Sequence, residues 1–195
     1  MFINMKCRQI NLKVVYYGPA LSGKTTNLEQ IHARIDPSRR GELISLKTAE
    51  DRTLFFDFLQ LEIGKINGFT PNIQLYTVPG QSYYEASRKV VLKGADGVVF
   101  VVDSSSKRRK ENIESWNNLH QHLEELNIPL SRLPLVIQFN KQDLEDALSP
   151  RILTRALKAR AYPAFSASAN VGSGVFDTLK AIINGVISSV QRDMA

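Results

Sequence analysis

The sequence predicts an α/β fold, a three-layer arrangement in which a mixed, mostly parallel sheet of about six strands has one antiparallel edge and helices on both faces. Three observations carry this reading. Strand-like apolar runs alternate with helical patterns over the whole length, one run is apolar without alternation, and polar, glycine-bearing segments follow the carboxyl ends of the runs. The first run, 12–17, is followed by a phosphate-loop pattern and a helix expected from Lys24 to about Arg34. In the second, 55–63, Phe56 and Phe58 share one parity around Asp57, whereas Leu59, Leu61 and Ile63 take the other, so a phase change with a bulge or unusual pairing is expected. Lys65-Ile66-Asn67-Gly68 supplies turn chemistry and joins this run to 73–78 as an antiparallel hairpin. Val98-Val99-Phe100-Val101-Val102 reads as a central strand covered on both sides and ending at Asp103. Runs 135–139 and 164–166 complete the sheet. The last helix repeats apolar residues at Val175, Leu179, Ile182, Val186 and Val190, the spacing of one buried face.

At 195 residues the chain suits one hydrophobic core, so residues 1–195 read as a single domain. No apolar run approaches the length of a bilayer span, and Lys6 and Arg8 are followed by no apolar signal region. A cytoplasmic protein without a stable membrane anchor is expected. One cysteine, Cys7, makes no internal disulfide; neither the start nor the end of the chain carries the usual lipidation patterns. The net charge of +6 has its densest cluster at Lys107-Arg108-Arg109-Lys110. Without interleaved aromatics it does not point to nucleic acid, and it reads first as a solvated loop, with a docking patch for an acidic partner as the alternative.

Gly18-Pro19-Ala20-Leu21-Ser22-Gly23-Lys24-Thr25, followed by Thr26, fits the pattern of a loop whose backbone N–H groups converge on phosphates at a helix N-terminus. Lys24 adds a point charge for the β- and γ-phosphates, and the Thr25 hydroxyl suits Mg²⁺. Asn140-Lys141-Gln142-Asp143 follows the run 135–139. The Asp143 carboxylate can accept from N1–H and the 2-amino group of guanine, whereas adenine offers an acceptor at N1 and no 2-amino group. Asn140 can bridge toward N7 and the phosphate loop, and the Lys141 stem can cover one face of the base. Together the two segments predict guanine nucleotide, GTP or GDP, with magnesium. A further backbone contact to the base is expected from Ser166-Ala167-Ser168 or from Ser168-Ala169-Asn170.

The chain resembles the Ras-like small GTPases, and within them the bacterial gliding-motility MglA family. The resemblance rests on Tyr16-Tyr17-Gly18-Pro19, Gly23-Lys24-Thr25-Thr26-Asn27-Leu28, Asp51-Arg52-Thr53-Leu54-Phe55-Phe56-Asp57-Phe58, Tyr76-Thr77-Val78-Pro79-Gly80-Gln81, Ala86-Ser87-Arg88-Lys89 and Gly174-Val175-Phe176-Asp177-Thr178-Leu179-Lys180-Ala181. It implies a P-loop GTPase fold and a switch that hydrolyses GTP to control cell polarity and motility. Its implied partners are a GTPase-activating roadblock-domain protein of the MglB type and state-specific effectors, with recruitment to a cell pole. It implies that Thr53 binds Mg²⁺ and senses the γ-phosphate, that Arg52 is an intrinsic arginine finger, that Gln81 orients the attacking water, and that Gly80 offers its N–H to the γ-phosphate. It also selects Ser168, Ala169 and Asn170 for the base contact.

Thr77 stands where most small GTPases have an aspartate, so the expectation is a magnesium ion without that anionic hold, dependent on Thr25, Thr53 and the phosphates. Slow intrinsic hydrolysis follows, accelerated when a partner fixes Arg52 and Gln81. The rival reading is a GTP-dependent scaffold that hardly hydrolyses; a P-loop kinase leaves the guanine segment unexplained. His32, His120 and His122 read as ordinary helix-surface or boundary residues and Trp116 as a packing residue. Tyr83 and Tyr84 read as packing or partner-contact residues.

Overall fold

The structure, a computed structural model, describes residues 2–4, 8–47, 53–64, 68–80 and 85–193. Along the chain these form β1 (Phe2–Asn4), β2 (Gln9–Tyr17), α1 (Lys24–Arg34), β3 (Ile44–Lys47), β4 (Thr53–Glu62), β5 (Thr70–Thr77), α2 (Glu85–Leu92), β6 (Gly97–Asp103), α3 (Arg109–Glu125), β7 (Leu135–Asn140), α4 (Pro150–Ala156), β8 (Ala164–Ser166) and α5 (Val175–Asp193). The strands lie in one sheet of order β3-β4-β5-β2-β6-β7-β8. β5, β2, β6, β7 and β8 pair in parallel, and β4 runs antiparallel to both β5 and β3. β1 pairs antiparallel with residues 9–11 of β2, while β6 pairs with 14–17. Eight strands thus exceed the six expected; the two additions, β1 and β3, are three and four residues long, too short for a period to show.

Alternation along the central strands sorts the side chains into two cores. Ile10, Leu12, Val14 and Tyr16 of β2, with Val99 and Val101 of β6, pack against Leu28 and Ile31 of α1 and Val175, Leu179, Ile182, Val186 and Val190 of α5. Val15, Tyr17, Val98, Phe100 and Val102 face the other way, onto Val91 and Leu92 of α2, Trp116, Leu119 and Leu123 of α3 and Leu153 of α4. Every residue of β6 is buried, as a strand covered on both faces requires. Helices α1 and α5 on one face and α2, α3 and α4 on the other make the three layers. Trp116 packs edge-on to Phe100, centroids 4.8 Å apart, in the packing role expected of it.

The antiparallel hairpin of β4 and β5 is present, with Phe58 opposite Tyr76 and Glu62 opposite Asn72. Residues 65–67 of its expected turn lie outside the described residues. The phase change is corrected. Asp57, Leu59 and Leu61 are all buried on the α1 side, whereas Phe56 and Phe58 pack on Tyr76 from the opposite face at 5.7 and 4.9 Å. Parity is therefore unbroken from 56 to 61, and the break read in the sequence is a buried aspartate at an apolar position. A register irregularity does occur, between β3 and β4, where Ser45 pairs with Asp57 but Lys47 with Thr53.

Lys107-Arg108-Arg109-Lys110 is also corrected: it is helical, passing from a 3-10 turn into the start of α3. Among the described residues no helix is long and apolar enough to cross a membrane. Cys7 lies outside the described residues.

Candidate nucleotide site

The predicted segments converge at one edge of the sheet, where β2, β5, β7 and β8 end, the edge at which open α/β sheets bind ligands. The loop 18–23 leaves β2 and enters α1, whose first residues are Lys24 and Thr25. Gly23 has φ 94°, and a Cβ there would collide with Asn140 Nδ2, so only glycine suits the position. Asn140, the last residue of β7, donates from Nδ2 to the Ser22 carbonyl at 2.8 Å and accepts at Oδ1 from the Ala169 N–H at 2.9 Å. One buried amide therefore ties the phosphate loop to the segment Ser168-Ala169-Asn170, and in this structure the Ala169 N–H serves that tie. Leu21 and Lys141 hold left-handed backbones (φ 63° and 65°), a cost of about 1 kcal/mol or more each that surrounding contacts must hold in place.

Lys141 Nζ donates to Asp103 Oδ2 at 2.7 Å, which pins its stem at the end of β6. Gln142 donates to Ser104 Oγ and to the Leu148 carbonyl, fixing the turn that presents Asp143. The exposed Asp143 carboxylate is free to accept hydrogen bonds. Behind this edge, Asn27 of α1 and Gln138 of β7 exchange two amide hydrogen bonds of 2.8 Å, and Gln138 also donates to Thr178 Oγ1 of α5. That buried pair sets α1 against β7. Neither residue stood out in the sequence, because the pairing brings together positions far apart in the chain.

Lys24 is nearly buried, and its ammonium donates to the Gly18 and Pro19 carbonyls at 3.1 and 2.7 Å. Burial, reinforced by the Arg88 cation, pushes its pKa down to about 7; Asp57 opposes the shift and Lys141 adds to it. The positive charge gathered here complements a polyphosphate.

Asp57 is the residue that sequence reasoning missed. Fully buried on β4, its carboxylate accepts from Thr25 Oγ1 at 2.6 Å and Thr77 Oγ1 at 2.8 Å, both at Oδ2, and from Ser45 Oγ at Oδ1. Its own N–H donates to Thr77 Oγ1 at 2.8 Å. A carboxylate thus stands beside Thr25 and Thr77, supplied from β4 across the β4–β5 pair. The available signal was the unmatched polar residue in an apolar strand.

Gly80 follows β5 so closely against the phosphate loop that a Cβ would collide with Ala20. Its carbonyl accepts from Arg88 Nη2 at 2.6 Å, and that of Pro79 from Arg88 Nε at 2.9 Å. Arg88 is only 3% exposed and its guanidinium lies 5.7 Å from the Tyr17 ring centre. His122, read as a surface or boundary residue, is fully buried: Nε2 lies 3.1 Å from Glu85 Oε1 and Nδ1 3.1 Å from Tyr17 Oη. As a carboxylate only accepts, a neutral imidazole would carry its proton on Nε2 and accept from the tyrosine at Nδ1. Helix α2 is thereby tied both to Gly80 and to α3. Replacing Arg88 with alanine would strip donors from two carbonyls beside the phosphate loop; a stability loss of about 1 to 3 kcal/mol is expected by urea denaturation, with Arg88→Lys recovering part of it.

Thr53 begins β4, and only its backbone is described; Thr26 lies in the first turn of α1. Arg52, Gln81, Tyr83 and Tyr84 lie outside the described residues.

A sheet of this order, with a phosphate loop, a guanine-type segment and a glycine pressed on the phosphate loop, defines a Ras-like small GTPase. The chain belongs to the ADP-ribosylation factor family of these GTP hydrolases, whose family model matches residues 1–186. It is 51% identical over 191 residues to the mutual gliding-motility protein MglA of Myxococcus xanthus (strain DK1622), covering 98% of each chain. More distant relatives include the Ras-related protein RABG3f of Arabidopsis thaliana, 26% identical over 95% of this chain and 87% of that one, and ADP-ribosylation factor-like protein 6 of Caenorhabditis elegans, 28% identical over 78% and 72%. As a member of this family the chain binds GTP and GDP.

Proposed function

We propose that this GTPase, a single domain over residues 1–195, is a magnesium-dependent switch for gliding motility and cell polarity. The convergence of Lys24, Thr25, Gly80, Asn140 and Asp143 on one sheet edge carries the nucleotide part of the reading, and the 51% identity to the gliding-motility protein carries the biological part. The loop from Gly18 through Ala20, Leu21, Ser22 and Gly23 to Thr26 cradles the phosphates, and Asp143 selects guanine while Lys141 covers the base. Ser168, Ala169 and Asn170 close the pocket behind it.

The donor set fits a hard cation: the Thr25 hydroxyl gives its proton to Asp57, and a hydroxyl oxygen is a ligand type that suits magnesium. Among the described residues no three His, Cys, Asp or Glu side chains form a metal cage, so magnesium would be held by Thr25, Thr53 and the nucleotide itself. When bound, the ion neutralises charge on the phosphate oxygens. Arg52 stabilises the transferring phosphoryl group, Gln81 orients water, and Arg88 holds the Gly80 peptide in place.

The partner is a roadblock-domain activator of the MglB type, with recruitment from the cytoplasm to a cell pole. Single-turnover GTP hydrolysis is expected to be slow alone and accelerated by that activator, with Arg52→Ala and Gln81→Leu removing most of the acceleration while leaving GTP affinity near wild type. Fast hydrolysis without the activator, or variants that hydrolyse as wild type does, would contradict the switch reading.

A further inference from the structure

Between α3 and α4 lies a cleft of about 460 Å³ lined by Arg109, Arg151, Ile152, Arg155 and Ala156. Three arginines are among its lining residues, and none of their guanidinium groups has a hydrogen-bond or ion-pair partner among the described residues. Three acidic groups near these arginines in sequence are engaged elsewhere: Glu111 with Arg108, Glu114 with Lys110, and Asp146 with the hydroxyls of Ser105 and Ser106. Arg151 and Arg155 stand one turn apart on one helix, a like-charge spacing that costs a few tenths of a kcal/mol. Between them Ile152 is 46% exposed.

The bases of these side chains are rigid. Leu153 and Leu157 anchor α4 in the core, Trp116 and Leu119 anchor α3, and Arg108 joins the start of α3 to the Ala20 carbonyl at 3.0 Å.

We propose that this cleft docks an acidic segment of a partner protein, its carboxylates paired with Arg109, Arg151 and Arg155 and an apolar residue seated on Ile152 and Ala156. Guanidinium groups match carboxylates bidentately, and three of them in a concave setting suit a peptide better than the flat basic face that a lipid surface reads. The lining holds no aromatic side chain on which a nucleic-acid base could stack. No described lining residue comes from the segments of Gly80 or Thr53, so docking is independent of nucleotide state and serves to place the GTPase rather than to read it.

The test uses the full chain and a fluorescein-labelled peptide of four Glu-Glu-Leu repeats, followed by anisotropy with GDP and with a non-hydrolysable GTP analogue. Binding that falls with salt and is equal in both states is expected, with a loss of tenfold or more in Arg151→Glu/Arg155→Glu and in the milder Arg151→Gln/Arg155→Gln. GTP hydrolysis should be unchanged in both variants, which also reports that they fold. Equal binding by the variants, equal binding of a Gln-Gln-Leu peptide, binding in one nucleotide state only, or no binding at about 1 mM peptide would overturn the proposal. Arginine-dependent binding to phosphatidylglycerol vesicles without peptide binding would overturn it in favour of a membrane.

Discussion

Asp57→Ala is expected to be among the most damaging single substitutions in the site, costing about 2 to 4 kcal/mol of stability. The carboxylate sits at zero exposure between β3, β5 and α1, and its removal leaves the hydroxyls of Ser45, Thr25 and Thr77 to find other acceptors in a space that water enters poorly. Asp57→Asn separates hydrogen bonding from charge. The amide keeps one acceptor oxygen and the shape, so most of the fold stability should survive. What it loses is the negative charge that orients Thr25. An outer partner of a metal ligand typically contributes 10- to 100-fold in metal affinity, so the magnesium concentration supporting half-maximal GTP hydrolysis should rise about 10- to 100-fold in Asp57→Asn. Urea denaturation and a magnesium titration read the two effects separately; an unchanged magnesium requirement would make Asp57 a structural residue only.

Asp57 also shows where sequence reasoning reaches its limit. Helix α1 begins and ends where the phosphate-loop pattern and Arg34 place it, and the buried face of α5 carries the five predicted apolar residues, because both are written in local spacing. The convergence of Gly18, Gly80 and Asn140 was likewise legible, since each follows a recognisable strand. Asp57 was visible but misassigned. Only the pairing of β4 with β5 and the docking of α1 reveal that its carboxylate stands beside Thr25 and Thr77. His122 failed for the same reason: its spacing on α3 is that of a boundary residue, and its burial depends on Tyr17 and Glu85 arriving from other elements. Long-range polar pairing has no period in one dimension, so it left no signal beyond a polar residue in an unexpected place.

Lys24→Met should stabilise the nucleotide-free protein while abolishing its function. The ammonium is buried against two carbonyls with no carboxylate of the described residues in ion-pair contact, and Arg88 and Lys141 add further positive charge. Methionine fills similar space without charge, at the cost of leaving the Gly18 and Pro19 carbonyls short of a donor. The pH dependence distinguishes these terms. With a folded pKa of about 7 against an ordinary 10.5, Lys24 takes up protons on unfolding between those values. Its penalty is therefore full below about pH 7, shrinks as pH rises, and vanishes above about 10.5, a slope approaching about 1.4 kcal/mol per pH unit in that window. Denaturation of nucleotide-free protein should show Lys24→Met more stable by about 1 to 3 kcal/mol at pH 7, with the gap closing as pH rises toward 10. Saturating GDP should reverse the order, because ligand that binds only the folded wild type stabilises it by mass action and the variant gains little. A variant no more stable at pH 7, or a gap that widens with pH, would show that the loop accommodates the ammonium without strain; the predicted reversal instead marks Lys24 as a charge held out of water for a phosphate.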